Sequence, residues 1–78
     1  MSIRVIFFGA AADLIGEREL TVERNATTAG EFLKDILAKH PTLAASRLLM
    51  SVNQEYAAAG TPVSDGDEIA IFTLVSGG

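Results

Sequence analysis

Thr28-Ala-Gly-Glu-Phe-Leu-Lys-Asp-Ile-Leu-Ala-Lys-His40 is the stretch on which the fold turns. Thr28 and Glu31 have the spacing of a capping box, a hydroxyl oxygen for an orphan amide and a carboxylate three residues on to reciprocate. Behind them Ala29, Phe32, Leu33, Ile36, Leu37 and His40 recur on one helical face. Glu31, Lys34, Asp35 and Lys39 fall on the other, with Asp35 and Lys39 placed for an i,i+4 pair. Pro41 closes the run, so the pattern predicts a helix over 28–40.

Outward from this helix, strands are expected on both sides. Residues 2–8 are rich in β-branched and aromatic side chains and end at Gly9. Ala10 to Ile15 is helix-competent and closed by Gly16 in a C-cap position. Glu17 to Glu23 alternates, with Leu20 and Val22 on one face, and reads as a strand in a hairpin with the first. After a loop from Pro41 to Ser46, Leu48 to Asn53 reads as a strand, followed by an irregular stretch. Thr61 to Glu68 carries turn chemistry at Pro62 and Asp65-Gly66, and the last strand is expected over 68–75. The implied architecture is α+β, a small mixed sheet rolled around one main helix.

At 78 residues the chain makes one domain, burying only about 60% of the surface its unfolded form exposes. Ten acids against six bases leave a net charge of −4, and the basic residues are scattered. Nucleic acid is therefore disfavoured as a partner, and basic protein surfaces are favoured. The absence of cysteine excludes disulfides, a thiolate zinc site and a thiol nucleophile. No apolar run approaches the ~20 residues that span a bilayer, and the amino end lacks signal-peptide features. A cytoplasmic protein with no membrane role is expected.

One helix can cover only one face of a sheet. Alternation groups Ile3, Val5 and Phe7 with Ile69 and Ile71, and sets Ile6, Phe8, Phe72 and Leu74 opposite. Two readings stand at this point. Central strands of parallel sheets are apolar on both faces whatever their role. Alternatively, the second apolar face marks a docking surface, since no second helix of adequate length exists to cover it.

Catalytic motifs are missing. His40, at a helix end, has no nucleophile or metal partner placed by sequence, and a capping or surface role suits it. Asp65, Asp67 and Glu68 lack the spacing of a calcium loop, so no metal is expected. What stands out is the end, Gly77-Gly78 directly after a strand-like run. Two glycines offer a slim backbone and a free carboxylate, suited either to another protein's narrow tunnel or to simple fraying. The expected organisation is a domain over 1–74 and a flexible tail over 75–78. Extended, residues 74–78 reach about 16 Å at ~3.3–3.6 Å per residue.

These residues together carry a family resemblance. Val5-Ile-Phe-Phe-Gly9 with Leu14-Ile-Gly16, the Thr28-led helix, Ser51-Val-Asn-Gln54, Asp65-Gly-Asp-Glu68 and Val75-Ser-Gly-Gly78 are ordered and spaced nearly end to end as in one family. The chain resembles the small, sulfur-carrier subunits of molybdopterin synthase, within the ubiquitin-like β-grasp sulfur carriers. A departure sits at Thr73-Leu74, where that family commonly has two prolines. The resemblance implies a β-grasp roll of four to five strands. It also implies that the Gly78 carboxylate is adenylated by an E1-like activating enzyme using ATP, then converted to a thiocarboxylate by a sulfur donor protein. Val75, Ser76 and Gly77 would thread into the large catalytic subunit, where sulfur passes to a cyclic pyranopterin monophosphate.

By the same analogy Phe8, Tyr56, Phe72 and Leu74 contact that subunit, in a heterotetramer of two small and two large chains. No cofactor would be bound, and the chain would be a carrier without catalytic side chains of its own. Three alternatives remain: a ubiquitin-like modifier joined through Gly78 to protein lysines, a thiamin-type sulfur carrier, and a plain interaction module with an incidental tail.

Overall fold

A computed structural model describes residues 2–45 and 47–73. The expectations placed on Leu74, Val75, Ser76, Gly77 and Gly78, and the boundary between domain and tail, lie outside the described residues. Strand β1 (Ser2–Phe8) is followed by the short helix α1 (Ala10–Ile15) and strand β2 (Glu19–Glu23). A two-residue strand β3 (Thr27–Thr28) leads into the main helix α2 (Ala29–Lys39). A 3₁₀ turn (Pro41–Ala45), β4 (Leu48–Val52), β5 (Glu55–Tyr56), β6 (Pro62–Val63) and β7 (Glu68–Thr73) complete the order.

The five-stranded sheet runs β2-β1-β7-β4-β5, and β3 pairs separately with β6. β1 and β7 are parallel, and the other pairs are antiparallel, so the sheet is mixed as expected. Register fixes which side chains share a face. Val5 lies beside Leu20 and Ile69, Phe7 beside Ile71, and Met50 beside Ile71. Those residues face α2, where Phe32 and Ile36 complete a core that also takes in Ile3, Leu43, Val52 and Val63.

The helix begins and ends where the sequence places it, with Thr28 as N-cap and His40 as C-cap. The Glu31 amide donates to the Thr28 hydroxyl oxygen at 3.4 Å. The reciprocal half of the expected capping box is replaced, because the Glu31 carboxylate lies 3.9 Å from Lys34. Asp35 likewise departs from its expected helical partner Lys39. It pairs with Arg24, which leaves the end of β2 beside the helix. Gly16 caps α1 in the left-handed region at φ 83°, where a side chain would be strained.

Three corrections concern short elements. The expected loop after Pro41 is a 3₁₀ turn that inserts Leu43, fully buried, under the helix. The stretch expected to be irregular holds β5, and the Pro62 turn region holds β6, whose Val63 is buried in the core. All are too short to carry a period of their own; β6 exists by pairing with distant β3, and β5 by its hairpin with β4.

Gly30 occupies a close approach. The Ala29 and Gly30 amides donate to the Thr61 and Ala59 carbonyls at 2.8 and 2.9 Å. A Cβ at Gly30 would stand 3.0 Å from both the Ala59 carbonyl oxygen and its Cβ. Gly30→Val is therefore expected to lower unfolding free energy by roughly 1–3 kcal/mol through overpacking. Gly60→Ala, with nothing within 4 Å of its Cβ position, should stay within about 0.5 kcal/mol of the parent. Urea titration of both variants checks the contrast.

Candidate functional site

The face of the sheet turned away from α2 is built by the other half of each alternation. Arg4 stands beside Glu68 and Thr21, Ile6 beside Ala70 and Glu19, Phe8 beside Phe72. Across β7, Ala70 meets Ser51, Phe72 meets Leu49, and Ser51 meets Tyr56. The face thus divides along the strands. At one end Arg4 holds both Glu68 and Glu19, the latter at 3.1 Å. At the other end, toward the finish of β7, lie Phe8, Leu49, Tyr56 and Phe72.

The aromatic rings are in mutual contact. Phe8 and Phe72 stack with centroids 5.3 Å apart, and Tyr56 meets Phe72 edge-on at 6.4 Å. Tyr56 is 79% exposed and Phe8 47% exposed, although both are large and apolar-bodied. Between them is a hollow of about 320 Å³ lined by Phe8, Ser51, Gln54, Tyr56, Ala70 and Phe72, with Glu68 at its charged side. It exists because small residues, Ser51 and Ala70, sit side by side among tall ones. Among the described residues no helix lies over this face, which favours the docking reading of its apolar end.

Phe8, Tyr56 and Phe72, expected from sequence at a partner interface, are brought together. Leu74 and the tail residues lie outside the described set. One detail changes: Phe72, expected to be exposed, is half-buried between Phe8, Tyr56 and Leu49. Ser51 and Gln54, quoted from the sequence only as part of the family resemblance, also line the site. The sequence signal that could have found Gln54 is its place in a two-residue turn between paired strands.

No group of three or more His, Asp or Glu side chains among the described residues could hold a metal ion. The Asp65, Asp67, Glu68 cluster is used for structure instead. Asp65 accepts from the Ser2 amide at 2.7 Å. Asp67 accepts from the Asn53 side chain at 3.0 Å and the Ser64 amide at 2.7 Å. His40 is the C-cap residue of α2, its backbone amide donating to the Ile36 carbonyl at 2.8 Å. Among the described residues no helix is long and apolar enough to cross a membrane.

A rolled mixed sheet with one long helix across one face defines the ubiquitin-like β-grasp class. Small archaeal modifier protein 1 from Haloferax volcanii is a solved structure of this kind, with a TM-score of 0.85, 29% identity and complete coverage of both chains. The model of the ThiS family matches residues 5–78, and the chain belongs to that family. It is 41% identical to the molybdopterin synthase sulfur carrier subunit of Caenorhabditis briggsae, covering 100% of this chain and 99% of that one. The subunit of the same name from Mycobacterium tuberculosis is 34% identical with equal coverage. A complex of subunits 1 and 2 of the molybdopterin-converting factor from Helicobacter pylori contains a chain with a TM-score of 0.71 and 27% identity, covered completely.

Hydrogen bonds from the Asn53 side chain, then from the Ser64 amide, hold the Asp67 carboxyl below the usual carboxylate pKa, against a small opposing effect of burial. A lowered native value means that this stabilisation is complete above the unfolded value, about 3.9, and is lost as pH falls through the native one. In Asn53→Gly, which keeps the turn accessible, the Asp67 titration should move up toward the ordinary value. The parent's stability advantage over that variant should shrink below about pH 4. Carboxyl NMR titration and acid-dependent urea unfolding read the two effects.

Proposed function

We propose that this chain is the sulfur carrier subunit of a molybdopterin synthase, with the Gly78 carboxylate as the carrying group. The observation that carries the reading is the match, over the whole chain, to relatives named for that role. The aromatic end of the uncovered face supports it, since it lies toward the end of β7 at Thr73.

The chemistry follows from what a carboxylate can do. It is a poor electrophile until an oxygen becomes a leaving group. Adenylation by an E1-like enzyme joins the Gly78 carboxylate to AMP and releases pyrophosphate from ATP. A sulfide equivalent from a donor protein then attacks the acyl carbon, AMP departs, and a thiocarboxylate remains. With no cysteine in the chain, a side-chain persulfide is not an option, so the terminal carbon is where sulfur resides. Delivery then takes place in the large subunit, whose groups supply the catalysis, with a cyclic pyranopterin monophosphate as acceptor. The proposed assembly holds two small and two large chains, in the cytoplasm.

The likeness to a small archaeal modifier protein supports a second reading, in which the same activated glycine is joined to lysines of target proteins. Both begin with the same adenylate. A ladder of covalent adducts on denaturing gels of cell extract favours the modifier, and a lone small species favours the carrier.

Deleting Gly77-Gly78 should abolish pterin-precursor conversion in a reconstituted synthase while leaving thermal stability unchanged. Retained conversion would defeat the carrier reading. Tyr56→Asp should weaken binding to the large subunit tenfold or more, about 1.4 kcal/mol, at a stability cost of no more than about 1 kcal/mol. Phe72→Asp, at a half-buried position, should lose both affinity and stability, and calorimetry paired with urea unfolding separates the two.

A further inference from the structure

The turn between β4 and β5 contains two residues with positive φ, Asn53 at 51° and Gln54 at 71°. Two-residue hairpin turns of this shape favour Asn followed by Gly, because only glycine enters the second position without strain. Asn53 is well placed: asparagine tolerates this region, and its side chain is used twice. It donates to Asp67 at 3.0 Å and accepts from the Glu68 amide at 3.0 Å, fastening the turn to the start of β7. Gln54 has neither excuse. It is exposed, and among the described residues its carboxamide makes no hydrogen bond. Nothing inside the domain offsets the strain of a long side chain at this φ.

What Gln54 does have is a place on the wall of the aromatic hollow. Across from it, in the floor, Ser51 is only 6% exposed and is the sole buried polar residue among those described. Its hydroxyl also makes no hydrogen bond to a described residue, and it too lines the hollow. The hydroxyl oxygen itself is not among the buried unpaired side-chain atoms, so it opens into the hollow with its hydrogen-bonding capacity available to an incoming group. The carboxylate at the hollow's side does not change this pattern, because Glu68 is already paired with Arg4. The hydrogen-bonding capacity left over is neutral, with donor and acceptor at both Ser51 and Gln54. A peptide group, which carries one N–H and one C=O, matches it; a cation does not.

We propose that Gln54 is a specificity-determining residue of the docking face, held in a strained turn so that its carboxamide, with the Ser51 hydroxyl, hydrogen-bonds a backbone peptide group of the large subunit. An apolar side chain of that partner segment fills the space between Phe8, Tyr56 and Phe72. The inference rests on the proposed carrier function, and it adds what the partner must present: a bulky apolar residue followed by an accessible main-chain amide.

The test uses the full chain and the large subunit, titrated by calorimetry, beside urea unfolding of the free chain. Gln54→Gly should raise the unfolding midpoint, because glycine relaxes the turn, and should lower affinity about tenfold. Ser51→Ala should lower affinity several-fold without loss of stability, since no internal hydrogen bond is removed. The double variant should lose less than the product of the two, as expected for groups sharing one ligand. A role confined to folding would move stability and binding in the same direction. Unchanged affinity in Gln54→Gly, with normal binding by the parent, overturns the assignment alone. A parent chain that fails to bind the large subunit overturns the carrier reading and this inference with it.

Discussion

The parallel ladder between β1 and β7 is the contact from which the rest of the molecule follows. It joins segments from opposite ends of the chain, so loop-closure entropy opposes it, although that cost grows only logarithmically with loop length. Burial meets the cost from one side: Ile3, Val5, Phe7, Ile69 and Ile71 all lie against α2 with almost no exposure. Because side chains alternate along each strand, the same register dictates everything on the reverse face. Arg4 must lie beside Glu68, and Phe8 beside Phe72. A slip of one residue would exchange the two faces and expose the core, so the pairing is strongly specified.

A single helix leaves this design asymmetric. Two ends of the uncovered face solve the resulting problem differently. Around Arg4 the ion pairs with Glu19 and Glu68 present charged groups that water solvates, so that end needs no cover. Around Phe72 the rings cover one another only in part, leaving Phe8 and Tyr56 substantially exposed. Small side chains at Ser51 and Ala70 deepen the apolar end into a hollow rather than filling it. Larger residues at those two positions would have closed the surface, so the concavity is a property of residue choice and not of the fold.

Much of this was legible in the amino-acid order. The Thr28 cap and the spacing from Ala29 to Leu37 located α2, because one long amphipathic period is a local signal that tertiary context only confirms. Gly16 announced the end of α1, and the alternation of Ile3, Val5 and Phe7 named the buried face. What escaped is instructive in kind. β3, β5 and β6 are two residues long and exist through their partners, Thr28 with Pro62 and Ser51 with Tyr56. Leu43 is the one large apolar side chain in a loop of small residues, and only the 3₁₀ turn directs it inward. Asp35 found Arg24 across the helix edge in preference to its helical neighbour. In the site, Phe8 and Phe72 followed from alternation and Tyr56 from family resemblance. Ser51 and Gln54 did not, because an unmade hydrogen bond and a left-handed φ arise only once the hairpin is folded, although the two-residue turn itself pointed toward Gln54.

Alternation also explains how so small a domain can specialise in being recognised. Core positions and surface positions interleave along the same strands, yet they answer to different demands. Substitution at Val5 or Ile71 is constrained by packing against Phe32 and Ile36, with a cost of several kcal/mol for a large truncation. Substitution one residue away, at Ile6 or Ala70, lies on the face that no helix covers among the described residues. The turn at Asn53-Gln54 shows the two demands meeting in adjacent residues: the first satisfies the fold through Asp67 and Glu68, while the second faces the hollow with its hydrogen bonds unmade. Under the proposed carrier function, a domain organised this way would contribute to the chemistry by being held in one orientation by another protein.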